Sequence, residues 1–449
     1  MLSKTRPSLE EFLQQGPYVG YSYSYPHKTA YRAIEHPPRL SQLWSAERQD
    51  SLFLYVHIPF CEMRCGFCNL FTFSQPQQDV VSYYLDAIDC QAKAIQAELP
   101  DVRFSRIAIG GGTPSFLNLS EMQRLFETIQ GFLGRPTLGI PMSFEVSPAT
   151  VTREKLELLE HYGVERVSMG VQSFDASDVA AMGRPQNLDT VVQAVEWISD
   201  SKIPSLNLDL IYGADSQTLQ SWLDSVQRTI AFEPEEIYLY PLYVRPLTGL
   251  NQVHRQPSDT RVSLYRAARD ELLAAGYEQV SMRMFRRSVA NRVQPICDAP
   301  DYSCQRDGMI GLGCGARSYT QSLHYGSPYA VKQKSVLTLI HQFSEMTSSD
   351  FQFAKFGIRL DEQEQRRRYV ILTLLLAEGL SLLQYYQFFG SHLICDFPEL
   401  EQLEAADLCK ISDERIQLTP RGLEWSDTIG PWLYSDAVRC QMEGYEWIG

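Results

Sequence analysis

Runs of β-branched and aromatic residues alternate with amphipathic helical stretches through the middle of the chain. This alternation predicts repeated βα units and a parallel sheet, because each helix must bury its apolar face against the strands beside it. The predicted strands span residues 52–58, 106–109, 142–146, 166–170, 206–211 and 236–240. Six such units favour an α/β fold, a partial (β/α)6 barrel of the TIM type, whose functional loops would gather at the C-terminal ends of the strands.

Two of the intervening helices carry recognisable boundary signals. Ser120 followed by Glu121 predicts the start of the helix SEMQRLFETIQGFL, and Thr152 predicts the start of a second helix that Gly163 ends. Apolar residues recur in both at spacings of three and four, as expected of helices lying on a sheet.

The sequence also predicts four regions along the chain. Residues 1–50 are rich in aromatic residues and are predicted to wrap the barrel, which occupies 51–250. Residues 251–355 are predicted to extend the barrel on the substrate side. Residues 356–449 are predicted to form a mostly helical, winged-helix-like domain, since KISDERIQLTPRGLEW resembles a β-hairpin wing.

Composition narrows the class of protein. The 449 residues carry a net charge of −14, which argues against broad nucleic-acid binding because phosphate contacts need a positive surface. Ten cysteines in a chain of this length do not indicate a disulfide scaffold. The longest apolar run, residues 369–383, contains Glu378 and predicts a buried helix rather than a membrane span. No signal-peptide pattern opens the chain, so we expect a cytoplasmic protein.

Three cysteines follow the first predicted strand directly. Cys61, Cys65 and Cys68 lie in the run CEMRCGFC. A cuboidal iron–sulfur cluster takes one thiolate per iron, so three close thiols would leave the fourth iron open to bind another molecule. The alternatives are structural zinc, which normally needs four ligands, or unrelated core thiols. The next cysteine, Cys90, lies on a helical pattern.

Polar residues and glycines occupy the ends of the following strands. The run GGGTPSFL comes after the second strand, and Glu145, Gln172, Arg184 and Asp209 lie at or near later strand ends. A buried charge is unfavourable unless another group or a ligand pairs with it. Each residue alone could be a satisfied core group, but together they predict a cofactor site.

The motifs YVHIPFC, GGGTPS, FEVSP, SMGVQSF, NLDLIYG and GLGCGARSY, in this order, resemble the oxygen-independent coproporphyrinogen III oxidase family of radical S-adenosylmethionine (SAM) enzymes. The resemblance covers residues 50–325 closely and the C-terminal region weakly. It implies a 4Fe-4S cluster whose open iron binds SAM, and reductive cleavage of SAM to a 5′-deoxyadenosyl radical that abstracts hydrogen from a substrate.

The resemblance also implies roles for individual residues. Cys61, Cys65 and Cys68 would hold the cluster, and Glu145 would act with them at the catalytic centre. The residues implied to contact SAM are Tyr55, Phe67, Gly111, Gly112, Thr113, Glu145, Gln172, Arg184, Asp209 and Tyr243.

The implied reaction is oxidative decarboxylation of porphyrinogen propionates in heme biosynthesis, with electrons from a donor such as flavodoxin or ferredoxin. Arg283, Arg286, Arg287, Arg292 and Arg245 could recognise the carboxylates of such a tetrapyrrole. The alternative is a solvated basic loop that forms surface salt bridges.

The chain departs from the family pattern at several positions. The oxidases carry a further cysteine where this chain has Leu70, and the heme-chaperone branch carries a histidine and a tryptophan that residues 298–313 lack. A radical SAM methyltransferase, another tetrapyrrole-modifying enzyme and a non-catalytic heme chaperone-like protein therefore stay as alternatives.

Cys297, Cys304 and Cys314 could assist chemistry or bind a second metal, but most buried thiols are inert. His57 is interpreted as an orienting or packing residue.

Overall fold

The structure, a computed structural model, describes residues 7–22, 24–254, 260–287 and 308–446. The strands are β1 Arg32–Ala33, β2 Leu52–Ile58, β3 Phe60–Cys61, β4 Phe73–Ser74, β5 Phe104–Gly111, β6 Met142–Val146, β7 Arg166–Gln172, β8 Ser205–Tyr212, β9 Glu236–Pro241, β10 Tyr277–Gln279, β11 Met284–Arg287, β12 Met309–Leu312, β13 Arg317–Tyr319, β14 Leu323–Gly326, β15 Phe356–Arg359, β16 Leu380–Ser381, β17 Cys409–Ile411 and β18 Arg415–Leu418.

The helices are α1 Leu9–Leu13, α2 Leu40–Leu43, α3 Gln78–Glu98, α4 Leu119–Leu133, α5 Arg153–His161, α6 Ala176–Ala181, α7 Leu188–Ser199, α8 Leu219–Ala231, α9 Gly249–Gln252, α10 Arg261–Ala274, α11 Gln333–Ser344, α12 Glu362–Leu374, α13 Leu382–Phe389, α14 Leu393–Asp396, α15 Glu401–Ala405, α16 Pro420–Glu424, α17 Ser426–Trp432 and α18 Asp436–Glu443.

By contacts, the chain groups into two units. The barrel unit contains the described residues of Tyr31–Glu271 and Arg287–Arg359. The C-terminal unit contains the described residues of Met1–Ala30, Leu272–Arg286 and Leu360–Tyr445. The region boundaries expected from the sequence stay a prediction.

The barrel unit is built on a parallel sheet. Strands β2, β5, β6, β7, β8 and β9 pair in this order, each parallel to the next, with helices between them in the chain. All six predicted strands are confirmed. On the other side of β2, β12 is parallel to it and is followed by antiparallel β13, β14, β15 and β1. Over the described residues the strand order is linear, so the predicted partial barrel is confirmed.

Helix α4 begins before its predicted start. Asn118 is the N-cap: its Oδ1 accepts the Glu121 N–H at 3.0 Å, and the Glu121 carboxylate accepts the Asn118 N–H at 2.8 Å. This reciprocal capping box satisfies two backbone donors, so it prevails over a start at Ser120. For α5 the prediction is confirmed, because Thr152 accepts the Lys155 N–H at 3.3 Å and Gly163, just beyond the helix, has φ +78°.

The C-terminal unit is mostly helical and contains the predicted hairpin. Strand β18 pairs antiparallel with both β17 and β16, beside helices α12 to α18. Its core holds a buried ion pair, in which Arg283 Nη1 donates to Asp427 Oδ1 at 2.9 Å and Nη2 donates to Oδ2. The Arg283 guanidinium also lies 3.7 Å from the centroid of the Tyr21 ring. Arg283, which was considered for substrate recognition, is therefore paired inside this unit.

Across the described ranges, the structure contains no helix that is both long and apolar enough to span a membrane. The prediction of one buried helix over residues 369–383 is wrong, because the run is divided between α12, which ends at Leu374, the short strand β16 and the start of α13. Gly379, at φ +79°, forms the turn between α12 and β16.

Candidate active site

The cysteine loop begins where β2 ends, at the C-terminal edge of the parallel sheet. Short strands β3 and β4 pair on either side of it, with Cys61 opposite Ser74. The loop is fixed by backbone hydrogen bonds: the Gly66 N–H donates to the Gly183 carbonyl at 3.1 Å, and the Leu250 N–H donates to the Gly66 carbonyl at 2.8 Å. The segments that follow α6 and begin α9 therefore hold the loop in place.

Opposing influences act on the thiols of Cys61 and Cys65. Burial raises the pKa of the Cys61 and Cys65 thiols, and each is raised further by neighbouring thiols. Arg184 Nη1 lies 3.2 Å from Cys65 Sγ and opposes this rise in the pKa of Cys65. A metal that binds here must displace protons from the thiols, and the guanidinium favours the resulting anion.

The backbone at Gly112 passes close to the Cys61 sulfur. A Cβ at Gly112 would lie 3.0 Å from Cys61 Sγ and 2.7 Å from the Phe60 carbonyl oxygen, so a larger residue would crowd the sulfur. The Thr113 side chain forms a hydrogen bond with Cys61. Within the described ranges, no three ligating side chains converge on a single metal ion. A cuboidal cluster does not need that convergence, because it takes one thiolate per iron.

Gly111 joins the cysteine loop to the carboxylate of β6. Its N–H donates to Glu145 Oε2 at 3.0 Å, and it adopts φ +117°, a conformation that favours glycine. A Cβ there would lie 2.5 Å from the His57 ring. The predicted glycine-rich turn is thus required by both conformation and space.

Glu145 and Asp209 are carboxylates inside the open barrel. Glu145 is exposed to solvent yet crowded by protein atoms, as expected of a side chain that lines an interior cleft. Loss of hydration raises its pKa to about 7, opposed by the Gly111 N–H and assisted by Asp209. Loss of hydration likewise raises the pKa of Asp209 to about 6, opposed by hydrogen bonding from Asn207. Two carboxyl groups with such pKa values are typical of a functional site.

Asn207 orients Asp209. Its Nδ2 donates to Asp209 Oδ1 at 2.7 Å and to Ser168 Oγ at 2.6 Å. Asn207 is buried, and its Oδ1 has no hydrogen-bond partner among the described residues.

Gln172 and Arg184 flank the same end of β7. Gln172 has φ +69° at a bulge in the pairing of β7 with β8. Such a strained conformation is common at functional sites, and a bulge redirects the side chain. Arg184 Nη2 donates to the Gly170 carbonyl at 3.1 Å, so one guanidinium links β7 to the Cys65 sulfur.

Comparisons with known proteins show which families and which fold this chain resembles. A family model described as the Radical SAM superfamily matches residues 55–228, and one described as the HemN C-terminal domain matches residues 360–425. The oxygen-independent coproporphyrinogen III oxidase of Synechocystis sp. is 26% identical over 397 residues, covering 84% of this chain and 83% of that protein. The Salmonella typhimurium oxidase is 27% identical over 424 residues, covering 90% of this chain and 91% of that protein. Over residues 55–228 the chain is therefore similar to the radical SAM superfamily, and over most of its length it is similar to oxygen-independent coproporphyrinogen III oxidases.

Two further comparisons extend this placement. The solved structure of coproporphyrinogen III oxidase from Escherichia coli matches with a TM-score of 0.77 at 22% identity, covering 92% of this chain and 96% of that chain. It shows the shared fold. The heme chaperone HemW of Bacillus subtilis is 25% identical over 390 residues, covering 84% of this chain and 98% of that protein. The cofactors of this radical SAM protein are the 4Fe-4S cluster and SAM.

The remaining predicted SAM-contact residues are distributed around the same strand ends. Phe67 packs against a buried cluster that includes Val179 and Met182. Tyr243, after β9, lies beneath the Arg245 guanidinium, 4.2 Å from its ring centroid. The roles of these residues toward SAM stay predictions.

His57 has a clear orienting geometry. Its Nε2 lies 2.9 Å from the Phe71 carbonyl oxygen, which can only accept, so Nε2 carries the proton. Nδ1 then accepts from the Tyr55 hydroxyl at 3.2 Å. His57 thus fixes the direction of Tyr55, which is itself a predicted SAM contact.

The other candidates have different surroundings or lie outside the described ranges. Cys314 is buried, its Sγ donates to the Leu339 carbonyl at 3.7 Å, and burial raises the pKa of its thiol to about 12, which favours an inert thiol. Arg287 donates to the Glu233 carbonyl at 2.9 Å, and Leu70 is 48% exposed. The predicted residues that lie outside the described ranges are Arg292, Cys297 and Cys304.

The sequence interpretation missed two residues that the structure places at the site. Glu62 lies between Cys61 and Cys65, and this position inside the cysteine motif is the signal for it. Asn207 precedes Asp209 by two residues, so both point to the same face of β8. That period of two was the signal for it.

Proposed function

We propose that this radical SAM protein is an oxidoreductase that takes a hydrogen atom from a carboxylate-bearing tetrapyrrole, with a porphyrinogen propionate as substrate. The observation that carries the proposal is the gathering of Cys61, Cys65, Glu145, Arg184 and Asp209 at one end of the parallel sheet. Relatives named oxygen-independent coproporphyrinogen III oxidase align with up to 90% of the chain, which supports the choice of substrate.

When bound, the cluster and SAM supply a 5′-deoxyadenosyl radical after one electron arrives from a donor of the flavodoxin or ferredoxin class. The chain itself binds and orients the cofactor and the substrate, and it excludes water from the site. Glu145 can accept hydrogen bonds from the amino end of SAM, and Asp209, held by Asn207, can accept them from ribose hydroxyls. Arg184 can donate to a carboxylate as well as to the Cys65 sulfur.

The proposed reaction converts a propionate side chain into a vinyl group. A hydrogen atom leaves the β-carbon of a propionate and forms a C–H bond with the deoxyadenosyl carbon. The bond to the carboxylate then breaks, CO2 departs, and one electron passes to a one-electron acceptor, which leaves a vinyl group. Arg245 beside Tyr243 is a described guanidinium suited to hold a propionate.

Two observations favour a second function. The heme chaperone HemW of B. subtilis aligns over 98% of its own length, and Leu70 replaces the further cysteine of the oxidases. A heme-carrying protein that retains the cluster without oxidising a substrate is therefore the alternative.

The deciding experiment is anaerobic incubation of the reconstituted protein with SAM, a reductant and coproporphyrinogen III. Vinyl product with stoichiometric CO2 and 5′-deoxyadenosine supports the proposed oxidase. Tight heme binding that persists in Cys61→Ala, with SAM cleavage uncoupled from any product, supports the carrier. A methylated product would contradict both and support a methyltransferase.

A further inference from the structure

Glu62 has an unusual position for a carboxylate. It follows the first cluster cysteine directly, and its Oε1 accepts a hydrogen bond from Ser147 Oγ at 2.7 Å. Its Oε2 is buried and has no hydrogen-bond partner among the described residues. A carboxylate oxygen left in this state keeps its negative charge concentrated, because no donor disperses it.

A network of hydroxyl groups fixes the direction of this carboxylate. Ser147 Oγ lies 3.0 Å from Thr150 Oγ1, which lies 2.5 Å from Ser115 Oγ. Lys155 Nζ donates to the backbone carbonyls of Ser115, at 2.6 Å, and Thr150, at 3.1 Å. The ammonium thus binds the scaffold beneath the carboxylate, and within the described ranges no Lys or Arg forms an ion pair with Glu62 at 4.0 Å or less.

Glu62 adjoins Cys61 in the chain, and its fixed carboxylate has one buried oxygen without a hydrogen-bond partner among the described residues. A negative charge held beside the thiols disfavours adding an electron to a cluster bound by thiolates, since the electron adds further negative charge. Arg184 has the opposite effect, through its contact with Cys65 Sγ at 3.2 Å.

We propose that the Glu62 carboxylate lowers the reduction potential of the cluster held by Cys61, Cys65 and Cys68. Net charge and surrounding hydrogen bonds are the means by which a protein sets such a potential. A lower potential makes the reduced cluster a stronger electron donor. This inference requires the cluster but not the proposed tetrapyrrole substrate, so either can fail without the other.

The test is an EPR-monitored redox titration of the reconstituted protein without SAM. Glu62→Gln keeps an oxygen to accept from Ser147 but removes the charge. We expect the one-electron equilibrium to shift about tenfold toward the reduced cluster, which is about 59 mV more positive. Glu157→Gln, on the exposed face of α5, is the matched control and should leave the potential unchanged.

Ser147→Ala separates charge from loop anchoring. Removing its hydroxyl leaves Glu62 charged and without that donor, so we expect a smaller shift in the negative direction. Loosening of the loop alone would move both variants in the same direction. An unchanged or more negative potential in Glu62→Gln would overturn the proposal. If Glu62→Gln retains no iron, the sign of the shift in Ser147→Ala decides, and a zero or positive shift overturns the proposal.

Discussion

Arg184 and Arg283 are two enclosed guanidinium groups with different partners. In the C-terminal unit, Arg283 donates two hydrogen bonds to the Asp427 carboxylate and lies over the Tyr21 ring. In the barrel unit, Arg184 contacts a thiol sulfur and a backbone carbonyl, at 3.2 and 3.1 Å. Arg283 has an anionic partner at hydrogen-bond distance, whereas the group at that distance from Arg184 is a thiol that becomes an anion only as a thiolate.

The difference distinguishes structural charge from functional charge. A guanidinium paired with a carboxylate in fork geometry needs nothing more, and removing either partner leaves a buried charge. A guanidinium beside a thiol is arranged for an anion that arrives with a metal. The same contrast applies to Glu145, which lines an open cleft, and Asp427, which is buried and paired.

The largest expected effect is at the cluster. Cys61→Ala should abolish iron binding and all 5′-deoxyadenosine formation, because the cluster loses a ligand and the electron donor disappears. The fold should persist, since the loop is held by backbone hydrogen bonds at Gly66. Iron analysis, visible absorption and circular dichroism would measure these effects together.

Cys90→Ala is the matched control for this variant. Cys90 is a partly buried cysteine on α3, and its loss should leave the iron content unchanged. Iron retained at the wild-type level in Cys61→Ala would show that Cys61 is not a ligand, and the contrast between the two arginines would lose its support from a metal centre at this loop.

The next effect is on stability. Asp427→Ala should destabilise the folded protein by about 3–5 kcal/mol, because it leaves the Arg283 charge buried without its partner. The double variant Arg283→Met, Asp427→Leu should recover most of this loss, since it removes both charges and keeps the volume. Chemical denaturation measures the effect, and iron content after reconstitution should stay at the wild-type level in both variants. A single variant as stable as the wild type would show that the ion pair has no structural role.

The sequence was sufficient for the sheet and for the cysteine motif. Runs of β-branched and aromatic residues that end in glycine or polar residues indicate where each strand lies. The alternation of these runs with helical patterns indicates a parallel sheet. The same is true of Thr152, whose hydroxyl caps a helix locally. Ser120 was assigned wrongly because a stronger capping box lay two residues earlier.

Partners that are distant in the sequence could not be predicted from local patterns. The sequence predicts that Arg283 recognises a substrate carboxylate. In the structure Arg283 binds the carboxylate of Asp427 instead, 144 residues further along the chain. The sequence shows that an arginine can bind an anion, but which anion it binds depends on tertiary packing. For the same reason nothing local distinguished Glu62 from a solvated surface glutamate.

The smallest expected effect concerns the carboxylate in the cleft. The pKa of Glu145 is raised to about 7 in the folded protein, whereas an unfolded glutamate titrates near about 4.3. Between these values the folded state binds the proton more tightly, so stability falls as pH rises through this window. Glu145→Gln removes the ionisation and should raise the Tm of the cofactor-free protein at pH 8 relative to the wild type. At pH 4.5 the difference should nearly vanish.

Since the Glu145 side chain is open to solvent, screening limits the gain at pH 8 to about 1 °C. The same variant should bind SAM more weakly, because a neutral amide replaces the carboxylate that we propose to bind the cofactor's amino end. Glu154→Gln is a control of opposite sign: the pKa of Glu154 is lowered by its own N–H and by Thr152, so its replacement should slightly lower Tm at pH 8. A Tm gain in Glu145→Gln that is equal at both pH values would show that the carboxylate is hydrated like a surface group, and the cleft would then resemble the rest of the surface rather than a site prepared for a ligand.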